Sequence, residues 1–172
     1  MDRLPLAVLA LIGLALPGLA STASAPAAAT VAAQGLAVEL PAGWHGRAYE
    51  SASGLLVAQA ASFPLPDARN DDLATTSQRH IARDGILMVV LRWPEPPPAG
   101  QRYERPAAIL PLQIRPRDFA SFACGIVAPA TAMRSALVEG RLLQVFVFFG
   151  SDTPGDEEVE RANAVLAGIL IT

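Results

Sequence analysis

The chain has 172 residues, 52% of them hydrophobic and 17% charged, and 13 basic against 16 acidic side chains give a net charge of −3. That mild acidity leaves no electrostatic footprint for nucleic acid or an anionic lipid surface, so nucleic acid is not expected as a partner. All the basic residues are arginine, and the absence of lysine excludes Schiff-base catalysis and the lysine of a phosphate-binding loop.

Residues 1–25 read as a secretory signal peptide: Met1-Asp2-Arg3, the apolar run Leu4 to Leu19, and small residues from Ala20 to Ala25. Cleavage is expected after Ala25, where Ala23 and Ala25 supply the small side chains that signal peptidase accepts; cuts after Ala20 or Ala23 are the alternatives. At about 16 residues the run is short of the ~20 that span a bilayer comfortably, so cleavage is expected rather than an uncleaved membrane anchor, with no stable membrane insertion once the segment is removed. The expected location is secreted or extracytoplasmic. Residues 26–34 read as a flexible Ala-rich leader, and residues 35–172 have the size of one domain.

Within that domain, Leu36, Val38 and Leu40 alternate with Ala37 and Glu39 as in a half-buried strand that Pro41-Ala42-Gly43 ends. Strands over His45 to Glu50 and Leu55 to Ser62, joined by a turn at Ser51 to Gly54, complete an opening meander. From Asn70 to Arg83 the period changes: Asn70 or Asp71 caps a helix whose face carries Leu73, Ser77, His80 and Ile81. Ile86 to Trp93 is almost wholly apolar, as in a central strand covered on both faces. Pro94 to Gly100 is a proline-rich extended loop, and Ala107 to Ile114, interrupted by Pro111, is an edge strand or bulge.

Ala132 to Val138 and Arg141 to Phe149 form a hairpin about Glu139-Gly140. In its second strand Leu143, Val145, Val147 and Phe149 share one face and Leu142, Phe146 and Phe148 the other. The chain closes with a helix from Pro154 to about Gly168, capped by Thr153, with Asp156, Glu157 and Glu158 in its first turn and Val159, Ala162, Leu166 and Ile169 as its buried stripe. The fold class is α+β: a mainly antiparallel sheet with one inserted helix and one C-terminal amphipathic helix.

The L-P-A-G-W motif at Leu40 to Trp44, a middle helix, long late strands and a terminal helix carrying Ala162-Asn163-Ala164-Val165-Leu166 resemble the PsbP/Mog1-like α/β/α sandwich, and exported actinobacterial proteins of unknown function. The resemblance covers about residues 35–172. It implies an accessory or binding role, and it brings no catalytic motif to carry over.

Three places hold candidate chemistry. In G-W-H-G-R, two glycines let the backbone approach a ligand beside Trp44, His45 and Arg47. Arg102, Tyr103 and Arg105, followed by Arg115 and Arg117, form an arginine cluster suited to carboxylates or phosphates, with Glu95, Glu104 and Asp118 as nearby counter-charges. His80, on the apolar side of the middle helix, and His45 have no metal-ligand spacing, so a metal site would require the fold to join them to Asp71, Asp72 or Asp84. The single cysteine, Cys124, permits no intramolecular disulfide, and its apolar neighbours give it the setting of a small buried side chain. No cofactor is expected. The function read from these residues is an exported non-enzymatic binding or accessory protein whose partner is an unknown protein or small ligand, with the Trp44 to Arg47 junction and the arginine-bearing loop as its surfaces. The alternatives are a small hydrolase or metal-dependent enzyme using His45 or His80, and a self-assembling envelope component.

Overall fold

The computed structural model describes residues 28–68, 71–95, 110–119 and 126–172. Among the described residues eight strands form two antiparallel sheets. The smaller is ordered β1 (Ala29–Ala33), β2 (Leu36–Leu40), β8 (Ile169–Ile171). The larger is ordered β3 (His45–Glu50), β4 (Leu56–Ala61), β5 (Ile86–Arg92), β7 (Arg141–Phe149), β6 (Ala130–Val138). Two helices accompany them, α1 (Thr75–Gln78) and α2 (Asp156–Ala167). The class is α+β, as the alternating and doubly apolar runs imply.

The larger sheet separates two cores, because its central strands are apolar on both faces. Leu56, Ala58, Ile86, Met88, Val90, Leu143, Val145, Val147 and Phe149 join Leu36, Val38 and Leu40 of the smaller sheet and Ala162, Val165 and Leu166 of α2. On the opposite face Val57, Leu87, Val89, Leu91, Phe146 and Phe148 meet Phe63, Leu65, Leu73 and Ile81. Burying a side chain the size of Phe148 or Leu143, both wholly inaccessible, stabilises the fold by roughly 1.5–3 kcal/mol. The expected division of β7 between two faces is therefore how it packs.

The hairpin of β6 and β7 turns at Glu139 and Gly140, both at positive φ (52° and 76°). A two-residue turn of this kind matches the twist of the strands, and glycine takes its second position without strain.

Five expectations are corrected. The leader is not flexible throughout: Ala29–Ala33 is a strand, paired with β2 from Ala29↔Leu40 to Ala33↔Leu36. The middle helix is a single turn, with Asn70 outside the described residues. Ala74, its N-cap, stands at φ 54°, two β-branched threonines follow, and the Asp71 carboxylate takes the Thr75 and Thr76 N–H groups at 2.8 and 2.6 Å. Leu73 and Ile81 still reach the second core, but from irregular backbone.

In the Pro111 region, residues 110–114 form no strand; Leu112 and Ile114 are buried, and Asn163 of α2 grips both backbone groups of Ile114 (2.8 and 3.2 Å). Finally, α2 is capped at Gly155, not Thr153. The Glu158 carboxylate accepts the Gly155 N–H at 2.8 Å, and the three first-turn acids complement the helix dipole as expected. Ile169 is not in the helical stripe. It begins β8, opposite Val38.

Candidate functional site

The Trp44 to Arg47 junction does not assemble into one site, because a strand sends alternate side chains to opposite faces. Trp44 is half-buried against the first core, while His45 and Arg47 lie on the face that carries Tyr49 and the second core. Gly46 serves packing between the sheets: a Cβ there would lie 2.7 Å from Leu40 Cδ1 and 3.0 Å from the Gln59 carbonyl oxygen. The absence of a side chain admits the smaller sheet where the sequence suggested a ligand.

Arg47 is committed to a network inside the protein. Its Nε and Nη2 donate to Gln59 Oε1 at 2.9 and 2.6 Å, and Nη1 donates to the Pro66 carbonyl at 2.6 Å. Gln59, completely inaccessible and directly opposite Arg47 in the ladder, donates through Nε2 to the Tyr49 hydroxyl (3.2 Å) and the Asp71 carbonyl (3.0 Å). The Tyr49 hydroxyl donates in turn to the same carbonyl at 3.3 Å. Every Gln59 polar atom thus has a partner, and the network ties the segment over Pro66 and Asp71 to the outer face of the sheet.

Two ionisable groups register this setting. Burial pushes the Tyr49 hydroxyl up to about 12, with Asp72 and Asp71 adding to the effect and Arg47 opposing it. Burial would also raise the Asp71 carboxyl, but the Thr76 and Thr75 N–H groups outweigh it and hold the carboxyl below its ordinary range. Tyr49 therefore stays a phenol and Asp71 a carboxylate across the neutral range. Their arrangement suits a structural clamp better than proton transfer.

The histidines lie on different segments of the chain. His45 is exposed at the start of β3, opposite Ala61, and His80 is exposed with Nδ1 2.8 Å from the Thr76 carbonyl. Asp71 is spent on α1, and among the described residues no three of His, Cys, Asp and Glu come together as metal ligands. Cys124 lies outside the described residues.

Arg102, Tyr103 and Arg105 also lie outside the described residues, but the point where their loop leaves the sheet is defined. There Arg92, 6% exposed, donates to the Gly35 carbonyl (3.2 Å) and pairs with Glu139 (3.0 Å), fastening the β1–β2 turn and the β6–β7 turn to the end of β5. The next residue, Trp93, is 40% exposed, and its Nε1 donates to Gln144 Oε1 at 2.9 Å. Its backbone N–H is held by the Leu142 carbonyl at 3.0 Å. The indole is thus presented to solvent in a fixed orientation. The sequence reading missed it by counting Trp93 into a buried strand; the signal was its position directly before Pro94.

Beyond the loop, Arg115 and Arg117 are exposed, and Asp118 pairs with Arg134 at 2.9 Å. Asp118 also accepts the Arg115 backbone N–H at 2.8 Å, so its side-chain partner among the described residues, Arg134, comes from outside the cluster the sequence offered. At the opposite end of the larger sheet, Arg83, Asp84, Ser151, Thr153 and Glu158 line an open cleft of about 530 Å³.

Among the described residues no helix is long and apolar enough to cross a membrane. Compared with family models, curated proteins and solved structures, the chain matches none of them.

Proposed function

We propose that this is an exported binding or accessory protein that recognises a protein or small ligand with the end of the larger sheet where β5 gives way to the proline- and arginine-rich loop. The observation that carries the reading is Trp93: a large apolar ring, solvent-facing yet oriented by Gln144, in the residue that follows the buried Arg92. A rigid, amphipathic indole loses little conformational entropy on contact, which is why such rings anchor interfaces. The polar groups of Arg47, Gln59 and Asp71 are occupied within the fold, so they support this surface by fixing the sheet.

The export half of the proposal draws on β1. Cleavage after Ala25 would leave Pro26, Ala27 and Ala28 ahead of the strand at Ala29, so the cut would precede the first described strand by a few residues. The resemblance to the PsbP/Mog1-like group points to the same accessory role.

The test is photo-crosslinking in the exported fraction of the producing cell, with a photoreactive residue in place of the exposed Glu95, in the parent, in Trp93→Ala, and in Arg102→Ala/Arg105→Ala. The reading expects one adduct of defined mass in the parent, lost or reduced at least tenfold in both variants while their circular dichroism is unchanged. Adducts that are identical in all three proteins would overturn the binding surface. An intact mass that retains residues 1–25 would overturn cleavage.

A further inference from the structure

We draw no further inference here: the strongest candidate, the open cleft lined by Arg83, Asp84, Ser151, Thr153 and Glu158 at the N-terminal end of α2, sets one guanidinium among carboxylates, with Glu158 already spent on the Gly155 N–H, and nothing in the structure shows which ligand would fill it.

Discussion

Replacing Gln59 by leucine keeps the volume of the side chain and removes all of its hydrogen bonds. The two bonds from Arg47 involve a charged donor, a class worth ~1.5–3 kcal/mol when broken from one side, and the partners left behind are Arg47, the Tyr49 hydroxyl and the Asp71 carbonyl. Arg47 would retain only the Pro66 carbonyl. Against this stands the favourable transfer of a leucine into a site with no solvent access, so a net loss of about 3 kcal/mol is expected. With a urea slope of ~2 kcal/mol/M for a domain of this size, the unfolding midpoint should fall by roughly 1.5 M.

Arg47→Met in the same background should recover much of that loss, because removing both partners leaves no stranded charge. The double variant should therefore be more stable than the summed single effects by at least ~1.5 kcal/mol. Urea unfolding followed by circular dichroism measures all four proteins. Additive costs, or a Gln59→Leu cost under ~1 kcal/mol, would refute the view that this network clamps the covering segment to the sheet.

Titration of Tyr49 provides a second check. In a Tyr103→Phe background the phenol absorbance near 295 nm should titrate at about 12, two units above an ordinary tyrosine. Because the folded protein holds this proton more tightly than the unfolded chain, the associated stability is complete below about pH 10 and lost as pH rises towards 12. The Asp71 carboxyl has the opposite sign: its stabilisation is present above its ordinary pKa and lost as pH falls through its lowered one, so Asp71→Ala should flatten the acid limb of the stability curve. At neutral pH that substitution removes the acceptor of two α1 N–H groups and should cost about 1 kcal/mol in thermal or urea unfolding. Gly150→Ala places a Cβ on the Ala82 carbonyl and should cost ~1–3 kcal/mol with loss of soluble yield; unchanged unfolding would contradict the packing of that loop. In single-tryptophan proteins, acrylamide should quench Trp93 several-fold more strongly than the half-buried Trp44, and equal quenching would remove the basis for an exposed anchor.

The strands of the larger sheet were legible because their apolar residues recur in period two or fill both faces, with single amides at Gln59 and Gln144 as the interruptions of β4 and β7. His45–Glu50 and Arg141–Phe149 have the expected bounds, and β2 likewise runs from Leu36 to Leu40. β1 was not legible: alanine carries little β preference, and Ala29–Ala33 is a strand because β2 offers it a partner. The spacing of Leu73, Ser77, His80 and Ile81 imitated a helix, since irregular backbone can also deliver apolar residues to a core, and the left-handed Ala74 ended that possibility. Ile169 fitted the helical stripe, but Gly168 followed by the β-branched Ile169 and Ile171 marked the change to β8.

The site was less legible than the fold, for a reason of register. Arg47 meets Gln59 only through the cross-strand pairing of β3 with β4, and no spacing within one segment encodes that contact. The available signal was Gln59 itself, a lone amide in the otherwise apolar run Leu55 to Ala61. Trp93 could have been separated from the strand by the proline that follows it.

The smaller sheet has a consequence for how the chain can be handled in the cell. β2 is flanked by β1, its immediate neighbour in sequence, and by β8, which arrives only after every other described element has been made. A two-stranded hairpin is at best marginal alone, so Leu36, Val38 and Leu40 must await the last strand before their layer closes. Synthesis therefore runs ahead of final closure.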